Sequence, residues 1–215
     1  RNVSLPDIND WRLEILGLIS PFPEQMRIIA GTAGSIPLKV PRSLTRPTTD
    51  RVREAVFSVL GGKTDGARVL DLFAGSGSLG LESLSRGAAE ATLVESNGAA
   101  CAVIGENLQK SRLDGARVQR RDVLSFLPTA PAGHYDIIFA DPPYARDEPT
   151  LALLNALVTS PALAAALAPD GIFVLESFAS VALPETPLWE VVREKTYGST
   201  RVSYLTPLTI APATA

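Results

Sequence analysis

The chain has 215 residues, 46% hydrophobic and 20% charged, with a formal net charge of −3, enough for one ordinary domain that buries roughly 70–75% of its unfolded surface. One cysteine, Cys101, and one histidine, His134, exclude an internal disulfide and a tetrahedral zinc centre and leave no Ser-His-Asp system to place. A slightly acidic chain without a long uncharged apolar run is neither a general coat for nucleic acid nor a membrane span, so a monomer without metal in a reducing cytoplasm is the expectation.

Residues 1–25 read as an extension. The sole methionine, Met26, directly precedes Arg27-Ile28-Ile29-Ala30-Gly31 and looks like the natural start, while Ile8, Trp11, Ile15 and Leu18 upstream have the spacing of a short helix over 7–18. Residues 27–31 and 36–40 are apolar runs around a turn rich in Gly and Ala, which predicts a small β-hairpin shaped like a cover. Thr48 or Thr49 then caps a helix with Val52, Val56, Val59 and Leu60 on one face and Arg51 and Glu54 on the other. Between residues 27 and 63, Arg27, Lys39, Arg42, Arg46, Arg51, Arg53 and Lys63 face only Asp50 and Glu54. This positive patch fits either a solvated face or contact with phosphates. The expected division is 26–63 for hairpin and basic helix, 64–208 for the main domain, and 209–215 for a tail.

From residue 67 strands and helices alternate, the pattern of an α/β fold whose mostly parallel sheet is covered on both faces. Strands are expected at 68–72, 91–95, 116–120, 135–140 and 171–176, with helices near 78–86, 97–110, 123–127 and 147–168, the last interrupted at Pro161. Residues 188–195 and 201–207 flank Tyr197-Gly198-Ser199-Thr200 and predict a terminal antiparallel hairpin, a departure from the nicotinamide-binding plan.

Asp71-Leu72-Phe73-Ala74-Gly75-Ser76-Gly77 follows the first strand and opens the helix after it. Gly75, Gly77 and Gly80 match the G-x-G-x-x-G spacing, which alone is a weak signal. Asp71 would repel a pyrophosphate and suit a cation, so the turn fits the ammonium and sulfonium of S-adenosylmethionine better than NAD; a simple turn cap is the structural alternative. Glu95, at the end of the second strand, can accept both hydroxyls of an adenosine ribose, which both cofactors contain. Asp122 closes the third strand and can either accept from an adenine amine or cap residues 123–127.

The most specific signal is Asp141-Pro142-Pro143-Tyr144 after the apolar run Ile137-Ile138-Phe139-Ala140. The prolines fix the direction of the Asp141 carboxylate and the Pro142 carbonyl, two acceptors that converge on one point. Accepting both N–H bonds of a nucleobase amine favours a pyramidal nitrogen able to attack a methyl group, and Tyr144 would stack on the flipped base. No strong general base is demanded, because the amine becomes acidic only once methylated.

Asp141 to Tyr144 and Asp71 to Gly77, taken with Arg27 to Gly31, Arg46 to Glu54, Leu79 to Gly87 and Tyr197-Gly198, resemble the RsmD family of class I S-adenosylmethionine-dependent methyltransferases, which modify the 2-amino group of a guanine in bacterial 16S ribosomal RNA. The resemblance spans residues 26 to about 207. It implies a Rossmann-like seven-stranded sheet of order 3-2-1-4-5-7-6, and S-adenosylmethionine held by Asp71, Phe73, Ala74, Gly75, Ser76, Gly77, Glu95, Ser96, Asp122, Val123 and Thr49. It further implies that Asp141, Pro142, Pro143 and Tyr144 hold the target amine, and that Arg42, Arg46, Arg51 and Arg53 meet RNA. The expected partner is 16S rRNA or an assembling small subunit. One departure is Ser35-Ile36, where the family tends to carry Gly-Arg. The rival readings are an adenine-amine methyltransferase, a nicotinamide oxidoreductase and a noncatalytic assembly factor.

Overall fold

The apolar runs after residue 67 are short and rich in Val, Leu and Ile, suited to strands buried on both faces. The computed structural model describes residues 26–41, 49–143 and 148–208. It contains β1 (Arg68–Leu72), β2 (Glu90–Glu95), β3 (Ala116–Arg120), β4 (Tyr135–Ala140), β5 (Leu167–Phe178), β6 (Trp189–Tyr197) and β7 (Thr200–Pro207). The sheet order is β3-β2-β1-β4-β5-β7-β6, as the resemblance implied. The first five strands are parallel neighbours, and β7 pairs antiparallel with both β5 and β6.

The helices are α1 (Asp50–Leu60), α2 (Ser78–Ser85), α3 (Gly98–Ser111), α4 (Val123–Phe126), α5 (Glu148–Val158) and α6 (Pro161–Ala166). Alternation along the strands divides the core into two layers. Val69, Leu93 and Phe139 pack with Val56 and Phe57 of α1 and Leu81 and Leu84 of α2, whereas Leu70, Leu72 and Ile138 pack with Phe126, Leu154 and Leu163 from α4, α5 and α6. Connections thus leave β1 and β4 toward opposite faces, which opens a crevice at the carboxyl ends of these neighbours. At their other ends, Arg68 donates from its backbone and guanidinium to Asp136 at 2.8–3.0 Å and clamps the pair.

Two expectations change in detail. The N-terminal hairpin is one antiparallel bridge, Arg27 to Pro37, extended by Ile28 N–H to the Ile36 carbonyl at 2.9 Å and Leu38 N–H to the Met26 carbonyl at 2.8 Å; Pro37 has no N–H with which to lengthen a ladder. The helical run expected to 168 ends at Ala166, and Leu167 already pairs with Tyr135 in the sheet. The run is interrupted at Pro161 as expected, and Pro161 begins α6 with the Ser160 side chain capping it, since the first turn is where a missing N–H costs nothing. The helix expected over 7–18 and the tail lie outside the described residues.

Candidate active site

The chain leaves β1 through a turn in which Phe73, Gly75 and Gly77 all have positive φ. At Gly77, φ is +79° and an added Cβ would come within 2.5 Å of the Leu81 side chain, so glycine is required both for conformation and for seating α2. Phe73, at φ 62°, holds the same left-handed geometry at a cost of about 1–3 kcal/mol, the kind of local strain found at ligand clamps. Glu95 braces the turn: one carboxylate oxygen accepts from Gly75 N–H at 2.9 Å and the other from Asn97 N–H at 2.7 Å. A carboxylate has about four lone-pair sites, so acceptors remain for a ribose.

Asp71, Phe73, Ala74, Gly75, Ser76 and Asp141 line one cleft of about 330 Å³, open to solvent, together with Met26, Ser78 and Leu79. Asp71 is 1% exposed and accepts from Gly80 N–H at 2.9 Å, so the capping role and the cleft position coexist. Burial, reinforced by the charges of Asp141 and Glu95, pushes its pKa up to about 7. A buried acid strained in this way favours a bound cation, which would relieve the repulsion. The ammonium and sulfonium of S-adenosylmethionine have the charge this wall lacks, and the Glu95 carboxylate, held by Gly75 N–H, offers a ribose its remaining acceptors; the residues fit that molecule.

Other expected positions are dispersed around the cleft. Gly77 starts α2; Ser96 is exposed beside Asn97, which caps α3. Asp122 is exposed and accepts from Ser125 N–H at 3.0 Å, capping α4, which begins with Val123. Thr49 caps α1 through Val52 N–H at 3.4 Å. Pro142 is buried and Pro143 exposed, and both border an adjoining, mostly apolar cleft of about 300 Å³ with Thr150, Leu154 and Phe178. Tyr144, Arg42 and Arg46 lie outside the described residues.

Arg53 requires a correction. Expected to meet RNA, it is 0% exposed, and its guanidinium donates at 2.5 Å to the Arg27 carbonyl and to Asp50. Burial lowers its pKa, against the pull of Asp50 and Glu82. Heptad-like spacing explains the error: Arg53 lies one turn before Phe57, on the buried face, so it ties α1 to the hairpin. Arg51 is exposed.

Sequence reasoning missed the residues that fasten the hairpin beside the cleft. Glu82, 0% exposed, accepts from Ile29 N–H at 2.6 Å, Ala30 N–H at 3.1 Å and Arg86 at 2.6 Å. Asn107 accepts from Lys39 N–H at 2.8 Å and donates to the Lys39 and Ser76 carbonyls at 2.9 Å. Their ties bring Met26 to the cleft wall, where its sulfur accepts from the Ser76 hydroxyl at 3.2 Å. Asn107, an amide on the helix face of Ala100, Val103 and Ile104, was an available signal; Glu82, with Ser78, Ser85 and Arg86 three and four residues away, offered none.

Comparison with known proteins places this geometry. The profile of a family described as conserved hypothetical protein 95 matches residues 26–206. The Escherichia coli protein named ribosomal RNA small subunit methyltransferase D is 41% identical over 178 residues, 81% of this chain and 86% of that protein. Its Haemophilus influenzae namesake is 34% identical over 180 residues, 81% and 90% of the two chains. A solved Thermus thermophilus protein described as hypothetical superposes with a TM-score of 0.69 at 35% identity, covering 85% of this chain and 99% of that one.

Proposed function

The chain belongs to the conserved hypothetical protein 95 family, the RsmD methyltransferases, and from that membership we propose that it transfers a methyl group from S-adenosylmethionine to the 2-amine of a guanine in small-subunit ribosomal RNA. The observation that carries this reading is the convergence of Asp71 and Asp141 on one cleft at the crossover between β1 and β4. Asp71 supports the cationic end of the cofactor, the turn from Phe73 to Gly77 lies along it, and Glu95 accepts from its ribose, with Asp122 and Val123 bounding the adenine.

When bound, the cofactor would supply an electrophilic methyl, whose transfer to nitrogen would leave the electron pair of the broken carbon–sulfur bond on sulfur. Asp141 and the Pro142 carbonyl accept the two N–H bonds of the target amine and turn its lone pair toward that methyl. Pro143 fixes the direction of the pair, and Tyr144 stacks on the base. The methylated nitrogen carries a positive charge until its proton passes to Asp141 or to water. Arg51, with Arg42 and Arg46, contacts phosphates around the target.

The test is mass analysis of ribosomal RNA digested after incubation with the protein and cofactor. Methylguanosine is expected; methyladenosine would overturn the base assignment. Asp141→Ala should abolish transfer and leave cofactor affinity within a few-fold by calorimetry, and an unchanged rate would refute its role.

A further inference from the structure

An acid stands at or beside the carboxyl end of β1, β2, β4 and β5: Asp71, Glu95, Asp141 and Glu176. The first three have roles in the proposed reaction, and Glu176 has none. The last paired position between β4 and β5 is Ala140 with Leu175, so Asp141 and Glu176 are the next residue on each of two strands about 4.8 Å apart. Ala140 and Leu175 pack in one core layer, Phe139 and Val174 in the other. Alternation therefore puts Asp141 and Glu176 on the same face of the sheet. Glu176 is 7% exposed and borders a cleft with Pro142 and Pro143.

Asp141 and Pro142 hold an amine but do not distinguish one base from another. The position beside the amine does. In guanine the 2-amine is flanked by N1–H, a donor, and by N3; in adenine the one ring nitrogen beside the 6-amine is N1, an acceptor. We propose that Glu176 is the base-specificity residue, its carboxylate accepting N1–H of the target guanine beside the amine held by Asp141. Facing adenine, the same carboxylate would set acceptor against acceptor. This inference rests on the methyl-transfer reading above and adds the choice of base.

The experiment uses ribosomal RNA whose target position, mapped from the wild-type product, carries guanosine or 2-aminopurine riboside. Both bases present a 2-amine, but N1 of 2-aminopurine is an acceptor. Wild-type protein should methylate guanosine about 10–100-fold faster in kcat/KM, the discrimination of one well-placed base contact. In Glu176→Gln the side-chain amide can donate to N1 of 2-aminopurine, and the preference should shrink at least about tenfold, with cofactor affinity and melting temperature unchanged. An unchanged preference in Glu176→Gln, or equal wild-type rates on the two bases, would overturn the assignment. If Glu176→Gln does not fold, Glu176→Asp replaces it: drawing the carboxylate back by one methylene should lower the guanosine rate and the preference together, and no change in either refutes the proposal. A methyladenosine product from the wild type would instead sink the parent reading, and this one with it.

Discussion

In the proposed site, Asp71 would couple stability to cofactor binding through one proton. Its pKa of about 7 in the folded protein lies above its ordinary value of 3.8, so between these pH values the folded state holds more protons than the unfolded state. Stability contributed by this group is greatest below about pH 4, falls as pH rises toward 7 and is level above it. Asp71→Asn keeps an acceptor for Gly80 N–H while removing the charge. The free variant should be more stable than wild type at pH 8 by an amount on the order of a few kcal/mol, with the difference vanishing near pH 4, as read by urea midpoints. S-adenosylmethionine should bind it at least about tenfold more weakly, and wild-type affinity should fall as pH drops below 7. Arg53 makes the opposite kind of contribution. Its fixed contacts to Arg27 and Asp50 predict that Arg53→Met loses about 2 kcal/mol of stability while the salt dependence of RNA binding stays the same. Arg51→Ala should leave stability intact and reduce the salt slope by about one; the reverse pattern would restore Arg53 as an RNA contact.

The N-terminal hairpin shows how an element with little regular structure is held by its neighbours. Ser85 of α2 accepts Ala33 N–H at 2.9 Å on its hydroxyl and Thr32 N–H at 2.8 Å on its carbonyl, and its hydroxyl donates to the Ala30 carbonyl at 2.6 Å. Gly31 makes this approach possible: φ is +84°, and an added Cβ would lie 1.8 Å from the Ser85 carbonyl oxygen. Gly31→Ala should therefore pull the hairpin from α2, cost roughly 2–4 kcal/mol and speed hydrogen exchange at Ile29, Ala30 and Thr32. Cofactor affinity should fall with it, because Met26 loses its place at the cleft. Strand positions and the terminal hairpin were legible because period-two alternation and buried apolar runs act locally. The glycine turn was legible because its spacing is a backbone requirement. The burial of Arg53 and Glu82 was not, since each also binds backbone of the hairpin at least 26 residues away in sequence, and residue type alone favours solvent. Glu176 was within reach: it repeats the apolar-strand-then-acid pattern of Asp71, Glu95 and Asp141.

At the scale of the molecule, charge limits how RNA can be held. The net charge is −3, and the positive patch is smaller than its residue count, because Arg53 is buried and Arg27 pairs with Asp50 at 3.4 Å. Lys39 pairs with Glu106 at 2.7 Å, leaving Arg51 and Lys63 as the exposed basic residues of the patch that form no ion pair with another described residue. Each phosphate contact adds to the salt-dependent affinity, so a protein with few of them must gain its docking elsewhere. An assembling small subunit offers a preformed RNA shape and basic ribosomal proteins that an acidic surface can meet. The expected outcome is a kcat/KM for methyl transfer at least about tenfold higher on small-subunit particles than on a protein-free transcript of the same RNA, measured at matched salt. The transcript should lose activity with added salt at a slope of only a few, reflecting those few phosphates. Equal turnover on both substrates, or a steep slope, would mean that the residues around Arg42 and Arg46 supply far more contact than the described surface does, and that free RNA is the substrate.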